Sequence, residues 1–423
     1  MLSYSLVSTT ISEDRRALRG GMRLLAEIAH KHGLSITWAI DVASARTVAT
    51  DLTKWHESYD DQLLPMLDIS PIWETDIDSG DPHQSAEHIV TMREKLPGYI
   101  SSEWRKVQKP MPWASPIVAG AAEKNHILLY ALEQVGFSGL WGYRWGENGT
   151  DAGCPFGFFC PSVDRHNFCG SPTSGIVGIP YASVDLAQAC LASEEADCAD
   201  LRMQILAGTA QRTFDLYTAN AAWNRCLAYV QQIDAESVAS LTSEQLEQLD
   251  AYLAYVATHQ EAQVISLPNA LRAYQQLGEQ TQPTFLLTEP DSGEKNVSSN
   301  VPAKSMLFYY DAECQLIFER DRIEPIGAKN YVSPPVASRY GEEFNLPQIE
   351  TFRSSRSRSQ LRMQFAVESA KAMPYGFAVW GNHTGLALAR SDAQAVTWLG
   401  TELLLVRADL QVGKNEIDVV LTI

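Results

Sequence analysis

The sequence predicts an α/β fold, a distorted (β/α) barrel of about seven strands followed by a C-terminal β-sandwich-like domain. Three observations carry this. Over the first 285 residues, short apolar runs alternate with amphipathic helical runs, the pattern of parallel strands joined by crossover helices. The stretch Glu289–Pro302 (EPDSGEKNVSSNVP) concentrates Pro, Gly, Ser and Asn, as a linker does. Beyond it the apolar runs are short, β-branched or aromatic, and separated by turn signals, as in an antiparallel sandwich. The expected boundaries are a barrel over 1–285, a linker over 286–304 and a β-rich domain over 305–423.

Each element has its own reason. Ser5–Ser8 reads as a first strand, and the following run from Asp14 to Lys31 has Leu18, Met22, Leu25 and Ile28 at helical spacing. Gly33 sits where that helix should be capped. Strands are expected at Ser35–Ile40, Leu63–Ile69, Ala114–Ala119, Ser138–Tyr143, Ile176–Ser183 and Gln263–Ser266. Helices are expected at Ala43–Tyr59, Ser85–Leu96 and Ala121–Val135, over most of Asp185–Gln232, and around the stripe Leu246, Leu249, Leu253 and Val256. In the C-terminal part, strands are expected at Met306–Tyr310, Cys314–Glu319, Leu361–Val367, Gly376–Trp380, Thr401–Val406 and Asn415–Leu421. The basic serine run Arg353–Arg362 (RSSRSRSQLR) reads as a solvated loop, with an anion or partner site as its alternative.

Composition narrows the function. The 423 residues include 33 Lys and Arg against 51 Asp and Glu, a net charge of −18. That sign opposes a protein that works by neutralising phosphates and one that docks on anionic lipid. No run approaches the ~20 apolar residues that span a bilayer. The N-terminus lacks the basic and apolar segments of a signal peptide. The seven cysteines include no CxxC pair, so reduced thiols and a cytoplasmic location are expected. The expected partner is a small-molecule or oligosaccharide substrate, with no nucleic acid and no membrane; a homo-oligomer stays open.

In parallel α/β folds the reactive groups follow the C-terminal ends of the strands. Asp41 ends the second strand, where it serves either as a reactive carboxylate or as a cap on the next helix. The third strand carries Asp68 and Ser70, and Trp73, Glu74, Asp76 and Asp78 follow, as substrate contacts or as a solvated acidic loop. The segment Gly139–Pro161 (GLWGYRWGENGTDAGCPFGFFCP) interleaves glycines with Trp141, Tyr143, Arg144, Trp145, Glu147 and Asp151. A loop this long in a compact domain is usually functional, here as a ligand pocket or a structural lid. Trp38 is either a core residue or a pocket wall. Aromatic faces stack on sugar rings, and paired carboxylates supply the acid and the base or nucleophile of glycosidic cleavage. Metal chemistry has weaker support: the nine histidines form no HExxH pattern, and Cys154, Cys160, His166 and Cys169 are irregularly spaced. No metal ligands and no cofactor are predicted.

Four stretches, the opening strand, HKHGLSITWAID, WHESYDDQLLPMLDIS and ALEQVGFSGLWGYRWGENGTD, resemble the polysaccharide deacetylase (NodB-homology) and related glycoside hydrolase superfamily. The resemblance implies a distorted seven-stranded barrel and a hydrolase acting on glycans or amino sugars. It also implies a metal held by an aspartate and two histidines. Here Thr9 and Thr10 stand where the family has an aspartate pair, and Asp68 and Ser70 where related sequences have histidines. The metal triad therefore transfers to no residue of this chain.

The expected function is a carbohydrate-active hydrolase. Glu147 is the expected acid and Asp151 or Asp41 the base or nucleophile, with Trp38, Trp73, Glu74, Trp141, Arg144 and Trp145 binding substrate. Two alternatives stand beside it: a non-catalytic sugar-binding or scaffolding descendant, and a deacetylase with an atypical carboxylate metal site built from Asp41, Asp68 and Glu74.

Overall fold

The computed structural model describes residues 2–10, 14–73, 82–143, 157–161, 166, 175–181, 185–187, 210–221, 227–277 and 285–287. In the C-terminal part it describes 307–311, 316–318, 324–325, 331–333, 335–337, 348–370, 372–380, 383, 385–399 and 403–423. The described residues fall into one unit up to Leu277 and another from Phe285 to Ile423.

The first unit opens with β1 (Leu2–Thr10), α1 (Arg15–Lys31), β2 (Ile36–Asp41), α2 (Ala45–Tyr59), β3 (Gln62–Leu67), α3 (Ser70–Trp73) and α4 (Pro82–Gln108). It continues with β4 (Val118–Ala121), α5 (His126–Val135), β5 (Gly139–Tyr143), β6 (Val177–Pro180) and α6 (Ala210–Asn220). It ends with β7 (Ala228–Asp234), α7 (Ala235–Ala239), α8 (Ser243–Thr258), β8 (Ala262–Val264) and α9 (Leu267–Gln276). Seven strands pair in parallel in the order β6-β5-β4-β3-β2-β1-β7 and form a nearly closed barrel, while β8 pairs with the start of β1. Both faces of these strands are covered, which explains their nearly continuous apolar runs. In α1, the Asp14 carboxylate accepts the Arg16 and Ala17 N–H groups, and Leu18, Met22, Leu25 and Ala29 bury one face.

Two departures from expectation shape the barrel. Residues 228–234 are the barrel strand β7, not helix; β7 pairs with β1 from Ser3↔Ala228 to Thr9↔Asp234. Gln231 and Gln232 interrupt its apolar pattern, but Gln231 is buried, and its amide oxygen accepts the hydroxyls of Tyr4 and Tyr252, both at 2.7 Å. A buried amide is tolerated once its partners are in place. The second difference is α9, which fills the barrel from the N-terminal end of the strands. Its Leu267, Leu271 and Tyr274 pack with Val7, Ala39, Leu64, Val118, Val177 and Val230. The Leu267 N–H donates to Thr37 Oγ1 at 3.0 Å.

The second unit contains β9 (Phe285–Leu287), β10 (Leu307–Asp311), β11 (Leu316–Phe318), β12 (Glu324–Pro325), β13 (Tyr331–Ser333), β14 (Pro335–Ala337) and β15 (Gln348–Arg356). The later strands are β16 (Gln360–Ser369), β17 (Met373–Trp380), β18 (Ala387–Ser391), β19 (Ala395–Leu399), β20 (Leu403–Leu410) and β21 (Gly413–Thr422). They form three sheets, β14-β11-β10-β9, β12-β13-β17-β20-β19 and β15-β16-β21-β18, and the pairings among these strands are antiparallel. Along β16, Leu361, Met363, Phe365 and Val367 are buried and alternate with exposed or half-buried residues, the period of a sheet with one covered face. The basic serine run is not a loop: residues 353–356 lie in β15 and 360–362 in β16, joined at Ser357–Ser359. The run is polar in all but Leu361, and composition alone disguises it as a loop. Among the described residues, no helix is long and apolar enough to cross a membrane.

Candidate active site

Strand register builds the site. In a parallel pair, residues side by side point to the same face. The chain of partners Asp41↔Met66, Met66↔Gly120, Gly120↔Trp141 and Trp141↔Ile179 therefore makes one row across five adjacent strands, β2 to β6. Ala39, two residues before Asp41, belongs to the barrel interior together with Trp141 and Ile179. The row faces the lumen, toward the C-terminal ends of the strands.

Glycine makes the row possible. A methyl group at Gly120 would lie 2.3 Å from Met66 Sδ and 3.1 Å from both Leu64 Cδ1 and Trp141 Cε3. The Trp141 indole thus occupies the space that a side chain at Gly120 would need. Its ring packs against Tyr181 with centroids 5.0 Å apart. Trp141 is 3% exposed, and its Nε1–H is buried with no hydrogen-bond partner among the described residues. A buried donor of this kind costs free energy unless something accepts from it. Asp41 is half-buried and accepts the Ser44 N–H at 2.5 Å, which braces the turn into α2.

Around the row, Thr9 donates to Asp234 Oδ1 at 3.3 Å. Asp234 in turn caps α7 by accepting the Ser237 N–H and hydroxyl at 2.8 and 2.7 Å. Thr10 donates to the Ala39 carbonyl at 2.8 Å. Beside β5, the buried Tyr143 packs edge-on against Phe159 at 5.1 Å, with His166 at 6.0 Å and the Lys124 ammonium 5.6 Å above its ring. His126, at the start of α5, lies 6.0 Å from the His166 ring.

The sequence-predicted residues divide three ways. Asp41 and Trp141 are brought onto one row. Trp38 is moved off it: the alternation of β2 turns it to the helix layer, where it stacks on Trp55 at 5.0 Å and is 1% exposed. It is a packing residue, not a pocket wall. Trp73 ends α3, and its side chain, with Glu74, Arg144, Trp145, Glu147 and Asp151, lies outside the described residues. Met66, Gly120 and Asp234 were missed in the sequence; all three lie on a strand, and strand register would have singled them out.

The metal implied by the resemblance does not fit the residues described. Both threonine hydroxyls at the end of β1 are engaged as above, and the exposed Asp68 accepts the Ser70 N–H and hydroxyl at 3.0 and 2.6 Å. Among the described residues, no three of His, Cys, Asp and Glu stand together as ligands, whereas a catalytic zinc takes three protein ligands. Cys160 is buried, which pushes its thiol up to about 11, so it is a poor thiolate ligand or nucleophile.

Against solved structures, the chain is similar to a candidate glycoside hydrolase/deacetylase from Parabacteroides distasonis, with a TM-score of 0.55 and 12% identity over 76% of this chain and 81% of that one. The two chains share a fold. A candidate polysaccharide deacetylase from Mycobacterium smegmatis is 11% identical over 69% of this chain and 94% of its own, at a TM-score of 0.42. An allantoinase is 10% identical over 65% and 90%, at 0.41. Of these three, the first has the superposition that supports the barrel. No protein-family model matches the chain, and no curated protein does.

Proposed function

We propose that the first unit is a hydrolase acting on a glycan or amino-sugar substrate, with its reaction centre on the row that carries Asp41 and Trp141. The observation that carries this reading is that row: a carboxylate and an indole face one lumen at the strand ends where α/β barrels place their chemistry. The Parabacteroides protein of the same fold, described as a candidate glycoside hydrolase/deacetylase, supports the class of reaction.

In this reading, the half-buried Tyr181, backed by the buried Trp141, gives the apolar floor on which a sugar ring stacks. Asp41, fixed by the Ser44 N–H, acts as base or nucleophile, and Glu147 as the acid, with Asp151 as the second carboxylate. Trp73, Glu74, Arg144 and Trp145 are assigned to substrate binding. The seven cysteines without a CxxC pair support a cytoplasmic location. The test is turnover by the full chain on a panel of chromogenic glycosides and N-acetylated amino sugars, for the wild type, Asp41→Asn and Glu147→Gln. Loss of turnover in both variants with an unchanged circular dichroism spectrum is expected; wild-type rates in both would overturn the assignment.

A second reading has its own observation. The end of β1 offers two engaged hydroxyls, Thr9 and Thr10, where the resemblance implies metal-binding aspartates, as a sugar-binding descendant without catalysis would. Calorimetric binding of a glycan that the wild type never turns over would favour it.

A further inference from the structure

We propose that the exposed face of the sheet β15–β16–β21–β18 binds an acidic polysaccharide, a linear glycan with carboxylates spaced along it, through Arg353, Arg358 and Arg362. The chain carries a net −18, yet the stretch 353–362 holds four arginines, Arg353, Arg356, Arg358 and Arg362. The hairpin and its register explain how they are presented. Arg353 lies opposite Gln364, and Ser355 opposite Arg362, so Arg353 and Arg362 are diagonal neighbours, ~7–8 Å apart on one face. The other face of β16 and β21 is tied down by the buried Leu361, Met363, Phe365, Val419 and Leu421. Arg353 and Arg362 therefore project from a rigid sheet, at little ordering cost on binding, and Arg358 sits in the turn that joins the two strands.

Within the patch, Asp418 organises its neighbours. Its carboxylate accepts Arg362 Nε and Nη2, both at 2.8 Å, and lies 3.9 Å from Arg390 of β18. This two-point contact fixes the guanidinium plane while the Arg362 side chain stays 47% exposed, with donors left for a ligand oxygen. Arg390 also lies 3.7 Å from Asp392. Arg353 and Arg358 are exposed and have no carboxylate partner among the described residues. The other acidic groups of the sheet, Glu350, Glu368 and Glu416, lie toward its far end, where Lys414 pairs with Glu350 at 3.1 Å. Ser355 and Gln364 supply neutral hydrogen-bonding groups between the arginines.

Charge density selects the occupant. Duplex nucleic acid presents a charge every ~1.7 Å, and an anionic membrane a continuous negative plane; either sets several charges at once against a few guanidiniums and the Asp418 carboxylate. A polysaccharide with one carboxylate per sugar unit or pair can place single charges on single guanidiniums and leave the rest neutral. The choice of a glycan rests on the hydrolase reading of the first unit; the arginine face itself does not.

The experiment is affinity electrophoresis of the full chain in gels containing polygalacturonate, with dextran, oligothymidylate and phosphatidylserine vesicles tested in parallel. The wild type is expected to bind polygalacturonate in a salt-sensitive way and dextran not at all. The Arg353→Glu/Arg358→Glu variant should bind at least about tenfold more weakly while its melting temperature and its turnover of short neutral substrates match the wild type. The proposal is overturned if the wild type ignores polygalacturonate, if the variant binds it equally well, or if oligothymidylate or vesicles bind more tightly. Binding with no turnover of any glycan would remove the hydrolase reading and leave this surface standing.

Discussion

The indole N–H of Trp38 donates to the Asp61 carboxylate at 2.7 Å, on the helix side of the barrel wall. Asp61 is 1% exposed and also accepts the Ile36 N–H at 2.9 Å and His30 Nε2 at 3.0 and 3.1 Å, while its carbonyl lies 2.7 Å from His56 Nδ1. Removing the acceptor strands several buried donors at once. Asp61→Ala is therefore expected to cost about 3–5 kcal/mol, and Trp38→Phe, which strands fewer, about 1–3 kcal/mol. Urea unfolding of the full chain measures both. Neither change should alter turnover by the folded protein; a catalytic defect in Trp38→Phe would return Trp38 to the site.

Two adjacent glycines in α1 predict opposite effects. Gly21 faces α7, and a Cβ there would lie 1.6 Å from the Ala235 carbonyl oxygen, which is backbone and cannot rotate away. Gly21→Ala should destabilise by about 3 kcal/mol or more through overpacking. At the exposed Gly20 a Cβ meets nothing within 4 Å, so Gly20→Ala should stabilise by about 0.5–1 kcal/mol through helix propensity. Thermal melts of the two single variants check the contrast, and equal effects would argue against the close approach of α1 and α7.

How far the sequence revealed this arrangement depends on which physical signal was local. The strand–helix alternation and the helix ends at Gly33 and Gly136 are set within a few residues, and all were readable. What decides β7 is non-local: Gln231 becomes acceptable in a core only when Tyr4 and Tyr252, far away in sequence, bring their hydroxyls to it. The same holds for Trp38. An indole near an aspartate-ended strand suits a sugar pocket until the alternation of β2 is fixed, and then it and Asp41 point to opposite faces. Asp41 was legible because it ends β2 and Trp141 because it stands near the end of β5, whereas Met66 and Gly120, which connect them, have no chemistry that marks them before register is known.

In the second unit, burial holds the His383 imidazole down to about 4, and the positive charge of Arg356 acts in the same direction, against the Val379 carbonyl that favours the charged ring. An unfolded histidine titrates at about 6.5. Between those two values the unfolded chain binds a proton that the folded chain does not. Stability from this group is therefore full above about 6.5, falls as the pH drops toward about 4, and levels off below, a loss on the order of 3 kcal/mol. His383→Gln should flatten that portion of the profile. Denaturant midpoints of the second unit's transition in the full chain, from pH 4 to 7 with wild type and variant compared, give the readout; parallel profiles would show that His383 is not the group responsible.

On the lumen row, chemistry and shape are separable by substitution. Asp41→Asn keeps an oxygen to accept the Ser44 N–H, so the turn into α2 should persist and stability should change little. The loss should fall on kcat, by about 10²–10⁴-fold if Asp41 handles a proton, with KM nearly constant. Gly120→Ala leaves every ionisable group in place but drives a methyl into Met66 and the Trp141 ring. Its expected effect is a stability cost of about 1–3 kcal/mol and a raised KM, because the indole that backs Tyr181 must tilt. Steady-state kinetics on one turned-over glycan, read beside thermal melts, separates the two. Were Asp41→Asn to raise KM alone, its carboxylate would be a binding group and the proton transfer would have to be sought elsewhere on the rim.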